Sequence, residues 1–180
     1  SELIELVEDR GRVDLQPRLG IAVAFRGRLK GQAGDVSGSL KDLQQASGLF
    51  STNDPEPQPD RIQAQIEVQL ELASLKLKAK DLDNAVKEST KAVQLSTRAV
   101  DELHFDDLQS LLATCHTCRA RCFFDQSEME RAQRDISKSI TLRNLVVDEG
   151  RLEQRLELAK EYLLRSQIDR ARGLRDDASR

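Results

Sequence analysis

Small residues recur at the same three positions around four short polar segments of this 180-residue chain. The segments span residues 34–39, 80–85, 127–132 and 166–171, and each ends in a small residue. A second small residue stands twelve positions before each of these, at Gly27, Ala73, Ala120 and Ala159. A third stands seven positions after it, at Ala46, Ala92, Ser139 and Ala178. Small side chains at matching positions let two antiparallel helices approach to roughly 8–10 Å between their axes.

The four segments therefore predict the turns of helical hairpins. The small residues that end them, at positions 39, 85, 132 and 171, are separated by 46, 47 and 39 residues. Spacings of this size mark a stacked array in which each helix pair contacts only its neighbours. We predict an all-α chain with one helical-repeat region over 1–180 and hairpins over about 12–50, 60–103, 104–149 and 151–180. Pro55, Pro57 and Pro59 predict a stiff connector between the first two hairpins.

The pattern resembles the tetratricopeptide repeat (TPR) family in a variant with a period of about 46 residues. The spacing Gly27-x6-Gly34-Asp35-x3-Ser39-x6-Ala46 follows that family, and the resemblance runs from about residue 12 to the end of the chain. Phe123 and Tyr162 stand at the family's aromatic position, whereas Lys30 and Lys76 replace it in the first two repeats and no tryptophan is present. The resemblance implies a right-handed superhelical stack of antiparallel helix hairpins, a TPR-like solenoid. Its concave groove would be lined by the first helix of each pair.

Three of the four predicted first helices carry a basic residue at the position that follows their small residue. That position holds Arg28, Ser74, Arg121 and Lys160, and a groove with these groups suits an acidic or C-terminal peptide. The predicted partner-binding residues are Arg28, Ser74, Leu77, Lys78, Thr117, Arg121 and Lys160. The alternative is an ordinary solvated helix surface, where Arg and Lys are common. Some TPR proteins grip a terminal carboxylate with Lys and Asn, but Ala24, Leu70 and Thr117 stand at one of those points, so that grip is not predicted.

Cys115, Cys118 and Cys122 form the one segment that invites a metal hypothesis. With His116 they could supply thiolate and imidazole ligands to zinc or to an iron–sulfur cluster. On a helix, however, the three cysteines continue an apolar stripe, and cysteine is commonly buried as a small hydrophobic residue. We therefore predict packing, with reduced thiols and no metal or other cofactor.

Charge and composition narrow the function classes further. Charged residues make up 33% of the chain, both signs alternate along it, and the net charge is −3, so no clustered basic face for nucleic acid is expected. No apolar run approaches the ~20 residues of a membrane span. His104 has no Ser or Cys nucleophile nearby in sequence, and with two histidines in the chain acid–base catalysis would rest on carboxylates that are scattered at helix-surface spacing, so catalysis is not expected. Three cysteines without a disulfide pattern favour a reducing compartment and a cytoplasmic location.

The function predicted from these features is a non-catalytic scaffold that binds a peptide or partner protein in its groove. The alternatives are a regulatory or sensor segment of a larger signalling protein and a metal-binding redox module built on the cysteines. We also expect the chain to be a fragment, with apolar faces at both ends that promote self-association. The residues of these end faces are Leu3, Leu6, Val7, Ile168 and Leu174.

Overall fold

The structure is a computed structural model that describes residues 15–50 and 57–178, with only the backbone described for 174–178. Seven α-helices fill most of this part of the chain: α1 (Gln16–Gln32), α2 (Val36–Leu49), α3 (Pro59–Lys78), α4 (Leu82–Thr97), α5 (Gln109–Asp125), α6 (Met129–Asp148) and α7 (Arg155–Ala178). A π-helical turn (Arg98–Glu102) extends α4, and short 3-10 turns (Asp106–Leu108 and Leu152–Gln154) lead into α5 and α7. Residues 15–50 and 57–178 contain no β-strand. The prediction of an all-α chain is confirmed.

Helices pack in neighbouring pairs, and each pair shares an apolar core with the next. The first core joins α1 and α2 to α3 through residues such as Leu43 and Val68, both fully buried. The second joins α3, α4 and α5, and the third joins α5, α6 and α7 around Ile136 and Ile168. Successive first helices also contact one another: α1 touches α3, α3 touches α5, and α5 touches α7.

The turns between paired helices share one hydrogen-bonding pattern. The first helix of each pair is followed by a residue with a positive φ, at Gly34 (88°), Lys80 (61°) and Ser127 (64°), and Gly150 (98°) stands in the same place after α6. The next residue then donates its N–H back to the carbonyl five positions earlier, as in Asp35 N to Lys30 O at 2.9 Å. This is the Schellman arrangement, which satisfies the last carbonyls of a helix and turns the chain sharply. Glycine adopts this conformation without strain, whereas Lys80 and Ser127 do so at a cost.

The fourth predicted hairpin, over 151–180, is not formed, and this corrects the sequence interpretation. Helix α7 runs without a break through Ser166 and Gln167, where the turn was predicted. The reason lies in the buried side of α7, because Leu164 (3% exposed) and Ile168 (fully buried) are four residues apart on one helical face. A turn at 166–167 would remove Ile168 from the third core, so burial favours continuation of the helix.

The small residues of the fourth repeat accordingly differ from those of the first three. Ala73, Ala85, Ala92, Ala120 and Ala132 are all fully buried, as the spacing predicts. Ala159 is exposed, and Ala171 is half-buried. Ile168 belongs to the core and not to an exposed end face. The predicted N-terminal end face (Leu3, Leu6 and Val7), the Leu174 side chain and most of the proline connector lie outside the described residues.

Candidate functional site

The predicted groove residues lie on the four first helices, but the structure gives them different surroundings. Arg28 on α1 is half-buried and ion-paired with two acids of α3: its Nη2 lies 2.6 Å from Glu67 Oε2, and its Nε donates to Glu71 Oε1. Burial raises the pKa of Glu71, although the charge of Arg28 opposes that shift. Arg28 therefore links two successive first helices and already has two anionic partners.

Thr117 contributes its hydroxyl to a buried polar network and is not free for a ligand. Its Oγ1 donates to Glu161 Oε1 of α7 at 3.0 Å and lies 2.7 Å from Ser139 Oγ of α6. Glu161 in turn pairs with Arg143 at 2.9 Å, and these two side chains are only 2% and 3% exposed. The network fastens α7 to both helices of the preceding pair.

Lys78 and Arg121 are exposed to solvent, and neither has an ion-pair partner within residues 15–50 and 57–178. Lys78 lies one helical turn beyond Ser74 on α3, and Arg121 holds the position of α5 that is equivalent to Ser74. Lys80 Nζ lies 3.2 Å from Asp125 Oδ2, which shows that the C-terminal ends of α3 and α5 are adjacent. Two basic side chains thus stand on corresponding faces of neighbouring helices.

The remaining predicted groove residues are either half-buried or paired within their own helix. Ser74 and Leu77 are half-buried on α3. Lys160 is exposed on α7 and pairs with Glu157 of the same helix at 2.7 Å. Within the described residues, no side-chain hydrogen bond or ion pair joins one predicted groove residue to another, so the face is an open surface and not a preformed polar cage.

A buried acid three residues after the small residue of each second helix was missed in the sequence interpretation. These acids are Asp42 (2% exposed), Glu88 (9%) and Asp135 (6%). Arg26 donates two hydrogen bonds to the Asp42 carboxylate, of 2.7 and 2.9 Å. Arg119 likewise donates two to Asp135, of 2.7 and 2.8 Å. The signal was available, because an arginine stands sixteen residues before the acid in both hairpins. In the second hairpin Leu72 takes the arginine's place, and Glu88 pairs with Lys91 instead.

His116 is part of the third of these clusters. Its Nδ1 lies 2.9 Å from Asp135 Oδ1, and its Nε2 is buried and has no hydrogen-bond partner in the described part of the chain. Burial opposes ionisation of Asp135, but the hydrogen bonds from Arg119 and His116 outweigh it and lower the pKa of this carboxyl. Because His116 is 2% exposed, its imidazole has no access to a substrate in solution. The cluster fastens α5 to α6.

The three cysteines lie among packed helices. Cys115 and Cys122 are fully buried, and Cys118 is half-buried. Burial raises the pKa of the Cys115 thiol to about 12, so it stays protonated near neutral pH. A hydrogen bond between Cys118 and Cys122 raises the pKa of Cys118 and lowers that of Cys122. Within the described residues, no three His, Cys, Asp or Glu side chains are arranged to hold a metal ion.

Comparisons with known proteins leave the family open. No family model matches the chain, and no curated protein matches it. The described helices include none that is both long enough and apolar enough to cross a membrane. The TPR resemblance therefore remains a prediction that rests on the spacing of small residues.

Proposed function

We propose that this chain is a non-catalytic binding module that holds an acidic peptide segment against its first helices. In this proposal the hairpins follow a right-handed, TPR-like superhelix, and the first helices line its concave side. The observation that carries the proposal is that Lys78 and Arg121 are both exposed without an ionic partner among the described residues and stand on corresponding faces of the neighbouring first helices α3 and α5. Arg28 and Arg119 are already bound to acids of the chain itself.

Recognition would depend on charge-assisted hydrogen bonds from two neighbouring helices. Lys78 and Arg121 are separated along the stack, so a peptide crossing from α3 to α5 could place one carboxylate near each. The Arg121 guanidinium suits a bidentate contact with a carboxylate, whereas the Lys78 ammonium acts as a point charge. Both side chains are exposed, so each contact is worth about 1 kcal/mol or less and weakens with salt. The proposal thus implies moderate affinity that falls steeply as ionic strength rises.

The ionisable side chains that form buried hydrogen bonds and ion pairs favour a structural role over a catalytic one. His116, Asp135 and Glu161 are ionisable residues with strong hydrogen bonds or ion pairs, and all three are buried within helix interfaces. A catalytic group must reach the proton that it transfers. These side chains instead hold α5, α6 and α7 together.

The proposal is tested by titrating the protein with two sets of labelled ten-residue peptides, one rich in Asp and Glu and one rich in Lys and Arg. Fluorescence anisotropy should detect binding of the acidic set only. Arg121→Glu and Lys78→Glu should each weaken that binding about fivefold or more, which corresponds to about 1 kcal/mol. Lys138→Glu is the matched control, because Lys138 is exposed on the second helix α6. Equal losses in all three variants, or no preference for acidic peptides, would refute the proposal.

A further inference from the structure

The side of α7 that faces away from the third core carries an exposed apolar stripe. Leu156 and Leu163 are 65% and 62% exposed, Ala159 is exposed between them, and Leu152 in the 3-10 turn that leads into α7 is 53% exposed. Their spacing of four, three and four residues places them on one helical face. We call Leu152, Leu156, Ala159 and Leu163 the α7 stripe.

The corresponding stripe of each earlier first helix is covered by the second helix of its own hairpin. On α1 it contains Gly20, Gly27 and Gly31. A methyl group added to Gly27 would lie 3.1 Å from Asp42 Cβ of α2, and one added to Gly31 would lie 3.0 Å from Ser39 Oγ. On α3 and α5 the stripe contains Ile66, Ala73, Ala113 and Ala120, all fully buried. By its place in the repeat, the α7 stripe is a surface for an antiparallel second helix.

The C-terminal half of α7 has the sequence pattern of such a second helix, but it does not pack against the stripe of its own helix. Residues 166–171 repeat the turn segment of the other hairpins, and Ala171 and Ala178 are spaced as Ala85 and Ala92 are. Because α7 continues as one helix through this segment, its C-terminal half extends beyond its own stripe and does not pack on it. A straight helix cannot fold back on itself, so this half can cover a stripe only in another molecule.

We propose that two copies of this chain associate through antiparallel α7 helices, each supplying the second helix that the other copy's fourth hairpin lacks. The register follows from the first hairpin, where Gly20 meets Phe50 and Gly31 meets Ser39. Transferred to α7, that register places Leu163 of one copy opposite Ala171 of the second copy and centres the two-fold axis near Gln167. The arrangement is an exchange of identical elements between protomers, a common route to dimers. It would cover Leu156, Ala159 and Leu163 in both copies, which is favourable in proportion to the apolar area covered.

Light scattering on the intact chain tests the association. A dimer is expected, and Leu163→Glu should raise its dissociation constant at least tenfold. Phe25→Glu is the matched control, because Phe25 is 60% exposed on α1, at the other end of the stack, and this variant should stay dimeric. A monomer at millimolar concentration, or equal dissociation by both variants, would overturn the proposal.

Two further variants test the register and the exchange. Leu163→Cys combined with Ala171→Cys should form disulfides between copies only. Within one helix these positions are eight residues and about 12 Å apart, beyond the reach of a disulfide. Insertion of Gly-Asn-Gly between Ile168 and Asp169, which leaves Ile168 in the third core, should let the C-terminal half fold back and convert the dimer to a monomer. Dimers without the 163–171 cross-link, or an insertion variant that remains fully dimeric, would contradict the exchange of helices.

Discussion

Replacement of Arg143 by methionine should destabilise the attachment of α7 more than any surface change would. The Arg143 guanidinium makes five hydrogen bonds: two to Glu161 Oε1 and one each to Gln154, Thr114 and the Ser110 carbonyl. Arg143→Met keeps much of the side-chain volume but leaves the Glu161 carboxylate buried without its cation. Glu161 Oε2 is buried and has no hydrogen-bond partner in the described residues, so the Arg143 bonds to Oε1 are the charge compensation that is lost. Breaking a buried ion pair on one side costs about 3–5 kcal/mol.

The double variant Arg143→Met with Glu161→Leu separates the ion pair from packing. Replacing both members of a buried pair by apolar residues is often neutral or stabilising, so the double variant should recover most of the loss. In a domain of this size a loss of about 3–5 kcal/mol lowers Tm by roughly 6–20 °C. The double-mutant cycle should therefore give a coupling energy of about 2 kcal/mol or more.

Urea denaturation followed by circular dichroism measures the free energies, and hydrogen exchange locates the change. Each repeat contacts only its neighbours, so the loss of protection in Arg143→Met should concentrate in α7 and leave α1 and α2 unchanged. A loss below about 1 kcal/mol would refute the reasoning. So would a double variant as unstable as Arg143→Met, because the cost would then come from packing and not from an unpaired charge.

Three other predictions address the turns, the buried acids and the helix crossings. Gly34→Ala should lower the free energy of unfolding by about 1–2 kcal/mol because the φ of Gly34 is 88°, although no atom lies within 4 Å of the added methyl group. Lys80→Gly should raise the free energy of unfolding, because Lys80 also has a positive φ. Denaturation midpoints equal to that of the wild type would contradict both expectations. The hydrogen bond from Arg26 lowers the pKa of Asp42 to about 2, so its contribution to stability is present above the unfolded pKa of about 3.9 and is lost as pH falls towards 2. Unfolding measured between pH 5 and 2 should show a smaller pH dependence in Asp42→Asn than in the wild type, and identical curves would count against it. Ala92→Trp should cost about 1–3 kcal/mol or more because Ala92 is fully buried, and an unchanged thermal melt would place Ala92 outside a helix crossing.

The spacing of small residues predicted the first three hairpins because it reports a physical requirement for close helix approach. Ala73, Ala85, Ala92, Ala120 and Ala132 are buried for that reason. The same spacing wrongly predicted a hairpin over 151–180, because it shows which face of a helix carries small side chains and does not show whether the chain turns. That outcome depends on Ile168, whose burial against the third core could be seen only once α5, α6 and α7 were in place.

The candidate site was less predictable than the fold. Equivalent positions correctly put Arg28, Arg121 and Lys160 on first helices, but sequence alone does not show which basic residue already has a partner. Arg28 meets Glu67 and Glu71 from the next hairpin, about forty residues away in the chain. The recurring arginine and acid of Arg26–Asp42 and Arg119–Asp135 could have been found from their shared separation of sixteen residues. The Arg143–Glu161 pair could not, because it has no counterpart in another repeat.

The most direct test of the proposed function is a map of the bound peptide on the protein by NMR. An isotope-labelled sample would be titrated with the Asp- and Glu-rich ten-residue peptides, and backbone amide shifts would be followed residue by residue. We expect the largest shifts to cluster on α3 and α5 around Ser74, Lys78 and Arg121, and to shrink in Arg121→Glu but not in Lys138→Glu. Shifts concentrated on the second helices α4 and α6, or no shifts at millimolar peptide, would contradict it.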